Sequence, residues 1–163
     1  MRGGICWMDR NLGASRVPEA IMYPPGYGDL FQWGRLDDSH QDRHSKIIPG
    51  PVDKDVPGHE NFITVSGFPW DWRLPTDAEL DAEHQSWGSN DLHGAYASAL
   101  KWSVSGNRTA DGTLSLVNSI GKVWNSSVNQ NLAGYIYYDH KDAKTSSFAR
   151  VLGKSVRCVR SVE

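Results

Sequence analysis

The chain has 163 residues and a formal charge of -2, with both signs spread along it. That length suits one domain, residues 1–163, with a core of its own. The charge gives no electrostatic case for nucleic acid or an anionic membrane surface, and the absence of any apolar run near the ~18 residues of a span speaks against membrane insertion. Seven tryptophans, with Gly and Pro together about a seventh of the chain, point to short segments, tight turns and large rings filling an irregular core.

In chain order, the opening residues MRGGICWMDRNLG lack the apolar centre of a signal peptide, so they leave the compartment open. GICWMDRNLGA reads as a first strand, SRVPEAIMYPPGYG as loop, and YGDLFQWGRL as a short helix or strand. From Asp37 to Trp72, Asp, His, Pro and Gly dominate and predict a long irregular excursion. Thr76-Asp77-Ala78-Glu79 is a capping box, with the Thr76 hydroxyl on the Glu79 amide and the Glu79 carboxylate returning to the Thr76 amide; it predicts a helix over 77–86. GAYASALKWSVSG reads as strand or irregular. NRTADGTL is a turn in which Asp111-Gly112 signals a hairpin. GKVWNSS, LAGYIYYDH and KSVRCVRSV are strand candidates, and in the second Tyr135 and Tyr137 share one face.

Groups that could carry chemistry are few. The stretch RLPTDAELDAEHQSW gathers Asp77, Glu79, Asp81, Glu83 and His84. Catalytic carboxylates must converge on one bond across a cleft, which neighbours on one helix do not do. His84 has no second histidine at zinc-protease spacing, so a cap and solvated faces account for the run. His40 and His44, with His59 beyond, have metal-ligand spacing but lack a helical context. Asp and Asn oxygens leave calcium open, though without EF-hand spacing. Cys6 and Cys158 stand at opposite ends and are too few for a disulfide framework or a zinc array. Trp7, Trp33, Trp102 and Trp124 sit among apolar or small neighbours and read as core, whereas an exposed Trp70, Trp72 or Trp87 could serve a sugar-stacking platform. From Asn125 to Lys154, Asn, Tyr, Asp, His, Ser and Lys are scattered over strand-like segments, the composition of an adaptable binding surface.

The phrases CWMDRNLGAS, YGDLFQWGRL, PGHENFI, DWRLPTDAEL, GAYAS.LKW, W.SS and G.SVRC occur in order over nearly the whole chain. Together they resemble the Fibrobacter succinogenes major paralogous domain, which is similar to the formylglycine-generating-enzyme branch of the C-type lectin fold. Leu80 and Lys154 depart from that pattern, each standing where an aromatic is usual. The resemblance implies an α+β, C-type lectin-like fold: loop-rich, with short helices, a small twisted antiparallel sheet and paired N- and C-terminal strands. It implies that Cys6 and Cys158 are neighbours, bonded only in an oxidising compartment. Thr76 and Glu79 join them as structural residues. The enzymes of the branch use two cysteines near the C-terminus. This chain has only Cys158 there, so no enzymatic activity carries over.

Domains of this kind also serve as variable proteins of diversity-generating retroelements, often on viral tail tips. There, adenine-directed mutagenesis rewrites Asn codons near the C-terminus. The resemblance implies a non-catalytic receptor-recognition domain whose variable surface comprises Asn125, Asn129, Asn131, Tyr135, Tyr137, Asp139, His140, Asp142, Thr145, Ser146, Ser147, Val151 and Leu152. The expected partner is a protein or glycan on a host or neighbouring cell surface, with no nucleic acid partner and no cofactor, and with a homo-oligomer allowed. The expected location is the virion tail tip or the cell exterior. The alternative is a carbohydrate-binding module of a secreted bacterial protein.

Overall fold

The structure, a computed structural model, describes residues 4–35, 39–45, 72–130 and 132–162. Most of the excursion expected over 37–72, including PGHENFI, His59 and Trp70, lies outside those residues. In chain order the elements are β1 (Ile5–Trp7), a 3-10 turn (Pro24–Gly26), β2 (Phe31–Gln32), α1 (Asp77–Gln85), α2 (Leu92–Ala97), β3 (Asn107–Arg108), β4 (Leu114–Ser115), β5 (Gly121–Asn129), β6 (Leu132–Tyr138), β7 (Ala143–Ala149), β8 (Gly153–Lys154) and β9 (Val159–Ser161). The class is α+β, mostly short strands in small antiparallel sheets with two helices. No helix among the described residues is long and apolar enough to cross a membrane.

α1 forms where its cap dictates. Thr76 Oγ1 accepts from the Glu79 amide at 3.2 Å and Glu79 Oε2 accepts from the Thr76 amide at 2.8 Å. Arg73 grips the same carboxylate through two nitrogens, at 2.7 and 2.6 Å. The other acids are less idle than solvated faces would be. Glu83 Oε1 accepts the indole N–H of Trp87 at 3.1 Å and of Trp102 at 3.0 Å, and Asp77 Oδ1 accepts from the Asn125 amide at 2.8 Å. Three of the four carboxylates thus hold structure: Glu79 the cap, Glu83 two indoles and Asp77 the sheet.

α2 corrects the reading of GAYASALKWSVSG as strand or irregular: its first four residues are the end of a helix. The start signal lies upstream, where the Asp91 side chain accepts from the His93 and Gly94 amides. Gly94 is required there because a Cβ would overlap the Ser89 backbone. The expected hairpin is present: β3 and β4 pair, Gly112 takes φ 84°, and Asp111 Oδ1 accepts from the Thr113 amide at 2.9 Å.

The described residues form three sheets: β1 with β9, the order β2-β8-β3-β4, and the order β5-β6-β7. The terminal strands pair as expected, with Cys6 opposite Arg160 and Trp7 opposite Val159. Cys158 is therefore two positions away from Cys6 along the ladder. Diagonal neighbours stand about 7–8 Å apart, beyond ordinary disulfide reach, and both cysteines are free thiols. Burial pushes the Cys158 thiol up to about 11.

The β5–β6–β7 sheet is packed on both faces. On one lie Trp124, Ala133 and Tyr135, against Leu12, Phe31, Trp33, Leu74, Val156 and Cys158. On the other lie Val123, Ile136, Tyr138 and Ala143, against Leu80, Trp87, Ala95, Trp102 and Val104. The second cluster is a ring stack, with Trp87 edge-on to Tyr138 at 5.6 Å and Trp7 edge-on to Trp102 at 5.9 Å. Each such ring removes about 150–250 Å² from water. Arg157 is fully buried beneath it, 4.4 Å from the Trp102 ring centre, donating to Asn11 Oδ1 and to the Leu100 carbonyl.

Candidate ligand-binding face

Side chains alternate across a sheet, so register decides which residues share a face. One face carries the rows Lys122–Tyr137–Lys144, Trp124–Tyr135–Ser146 and Val128–Ala133–Phe148. The opposite face carries Val123–Ile136–Thr145, Gly134–Ser147 and Asn129–Leu132–Ala149. β7 is absent from the strands expected from the sequence, because AKTSSFA is too polar to stand out. It is the edge strand on which the outward positions depend.

The expected surface set divides. Asn129, His140 and Ser146 are exposed; Tyr137, Asp139, Asp142, Thr145, Ser147, Val151 and Leu152 are half-buried. Thr145 and Ser147 point to the face opposite Ser146, so the set does not form one continuous face. Asn131 lies outside the described residues.

Two residues must be removed from the surface. Asn125 is 0 % exposed: its amide nitrogen donates to Asp77, its amide oxygen accepts from the Ser127 amide at 2.9 Å, and its carbonyl accepts the Trp33 indole N–H at 2.9 Å. It fills the irregularity in β5 between Trp124 and Val128, where two extra residues interrupt the ladder. Tyr135 is 8 % exposed and packs edge-on to Trp124 at 5.9 Å. Composition alone cannot separate a buried Asn or Tyr from an exposed one; here the β5 irregularity and the Trp124 ring decide.

The β6–β7 turn is built by Asp139. Its Oδ1 accepts from the Lys141 amide at 2.7 Å and the Asp142 amide at 3.0 Å, and its Oδ2 accepts the Tyr137 hydroxyl. Partial burial raises its carboxyl, but the hydrogen bonds from Tyr137 and the turn amides prevail and hold it at about 2. Burial, and then the Asp139 hydrogen bond, raise the Tyr137 phenol above its ordinary range. A rigid turn thus presents His140 to solvent. At the other end of β7, the Val151 carbonyl accepts from Gln32 Nε2 at 2.6 Å, tying the β7–β8 turn to β2.

Phe148, Lys144 and Val128 are absent from the expected set and belong to the face. Phe148 is 52 % exposed and Val128 47 % exposed, flanking the buried Ala133. Lys144 Nζ lies 5.7 Å from the Tyr137 ring centre and 3.5 Å from Asp142 Oδ2. Their signal in the sequence is the alternation of Lys144, Ser146 and Phe148 in a strand, visible only once β7 is recognised.

Of the sugar-platform residues, Trp70 lies outside the described residues. Trp87 is 8 % exposed and inside the ring stack, while Trp72 is half-buried with the Arg160 guanidinium 5.2 Å from its ring centre. Among the described residues no group of three or more His, Cys, Asp or Glu could hold a metal ion. His40 Nε2 accepts from the Gln32 amide at 3.1 Å, and the His44 amide donates to Asp42 at 2.8 Å, so these loop residues serve the fold.

The fold and this face together define a small α+β domain with a doubly packed sheet and a partly open polar–aromatic surface. No family model, no curated protein and no solved structure matches the chain.

Proposed function

We propose that this is a non-catalytic ligand-recognition domain, of the formylglycine-generating-enzyme type of C-type lectin fold. It acts as the variable protein of a diversity-generating retroelement, on a viral tail tip or cell surface. Its partner is a protein or glycan on a host or neighbouring cell. One observation supports this reading above the others: the exposed Ser146 and Phe148 on one face of β7, His140 at the β6–β7 turn and Asn129 at the end of β5 on the opposite face stand on strands and a turn whose inner residues are locked in place. Rigid support beneath exchangeable outer side chains is what a display surface requires. Substitution of Asn129, His140, Ser146 and Phe148 together should abolish binding of the labelled domain to host or neighbouring cells while the fold persists. Undiminished binding by the folded variant would reject the surface.

A further inference from the structure

The same sheet face ends, at the β7–β8 corner, on a group the reading above does not use. Lys154 is 0 % exposed and its Nζ has no hydrogen-bond partner. That nitrogen lies 3.6 Å from the Trp124 ring centre, 4.6 Å from Tyr135 and 5.7 Å from Phe148. Ring faces attract an ammonium and offset part of the cost of its burial. They do not replace an acceptor for its N–H groups, and a buried charge without one is costly.

The neighbours deepen the imbalance. Lys122 is held beside this corner by its carbonyl, which accepts from the Ser155 amide at 3.0 Å; its own Nζ finds the Asn107 amide oxygen at 3.3 Å. Arg150, four residues before Lys154, is buried over Trp33 with its Nε unpartnered. The carboxylates at the Lys122 end of the face are engaged: Asp139 by Tyr137 and the turn amides, Asp142 by Lys144. No carboxylate therefore partners Lys154, and Lys122, in the Tyr137–Lys144 row, and Arg150, whose Nη2 donates to the Gln130 carbonyl, stand toward opposite ends of the sheet. An external organic cation has no opening, because the Lys154 ammonium already occupies the Trp124 and Tyr135 faces. Phe148, on the edge strand β7 and 52 % exposed, is the ring that stands between the Lys154 nitrogen and solvent.

We propose that Lys154, with Lys122 beside it, is an oxyanion site roofed by Phe148, taking a carboxylate or a sulfate or phosphate group. The inference goes beyond recognition of a cell surface, and its test uses small ions alone, so either can fail without the other. The 15N-labelled domain is titrated at pH 5.5, below the value of about 6 to which burial lowers the Lys154 amine, with sodium sulfate and, separately, sodium acetate, each against sodium chloride at matched ionic strength. Saturable amide shifts at Tyr135, Phe148 and Lys154 are expected with at least one oxyanion. A sulfate response identifies tetrahedral anions, and an acetate response identifies carboxylates.

Lys154→Met, which keeps the side-chain length among the rings, should weaken the apparent affinity at least tenfold. Lys122→Met should weaken it severalfold, and the distant Lys101→Gln should leave it unchanged. Lys122→Met and the wild-type chloride comparison carry the test if Lys154→Met does not fold. Wild-type shifts no different from those with chloride, or a folded Lys154→Met or Lys122→Met protein titrating like the wild type, would overturn the proposal.

Discussion

Asn125 and Gly134 fit together across β5 and β6: any side chain at 134 would overlap the Asn125 amide oxygen. That amide ties the sheet to the first residue of α1 through Asp77 and orders the β5 irregularity through Ser127. Gly134→Ala should therefore destabilise the domain by about 1–3 kcal/mol by overpacking. Asn125→Ala should cost about 1–3 kcal/mol by leaving buried polar groups unpaired. Because Asn125→Ala removes the obstacle, the double variant should lose less than the sum. A double-mutant cycle by chemical denaturation measures that coupling.

Glu83 carries two indoles on one oxygen. Glu83→Ala orphans both N–H groups at about 1–3 kcal/mol each, whereas Glu83→Gln keeps an acceptor and should cost clearly less. Denaturation midpoints of the two variants decide this. Equal losses would mean that packing, rather than the hydrogen bonds, holds Trp87 and Trp102.

Acid stability should depend on Glu79. The Arg73 guanidinium above all, aided by the Thr76 amide, holds its carboxyl at about 2 against an ordinary 4.5. The folded state thus binds this proton less readily than the unfolded chain. The contribution is complete above about pH 4.5 and disappears as pH falls through 2. Asp139 acts in the same direction with its carboxyl at about 2. With Arg73 43 % and Glu79 20 % exposed, the Arg73 pair itself contributes no more than about 1 kcal/mol. Thermal melts from pH 5 to pH 2 should show a shallower decline in Glu79→Gln than in the wild type.

Much of this was legible in the sequence because local rules governed it. The α1 capping box, the Asp111-Gly112 hairpin and the pairing of the terminal strands all appear as expected. The misses arose where tertiary packing overrode composition. Asn125 looked like one more surface Asn, and only the gap left by Gly134 shows why it is buried. Tyr135 and Tyr137 share a face as expected, yet the Trp124 ring covers one and leaves the other half open. β7 lacked an apolar signature because both of its faces carry polar residues, Lys144 and Ser146 on one and Thr145 and Ser147 on the other.

Lys154 should make stability depend on pH in the opposite sense from a lysine held in an ion pair. Burial first, and then the like charge of Lys122, lower its amine from 10.5 to about 6. Between those values the unfolded chain holds a proton that the folded chain gives up, so stability should rise with pH through about 6 to 10.5. Lys154→Met should remove that slope and raise the melting temperature at pH 6. A slope unchanged in the variant would place the titration elsewhere.

The central claim, a fixed inner sheet beneath an exchangeable surface, is tested most directly by sequencing the coding region for 125–154 and any flanking near-copy across a natural population. Substitutions should concentrate at adenines in codons of outward positions such as Asn129, His140 and Ser146, with the codons of Asn125, Gly134 and Tyr135 constant. Variation spread evenly over buried and exposed codons, or no near-copy and no excess variation at all, would contradict it.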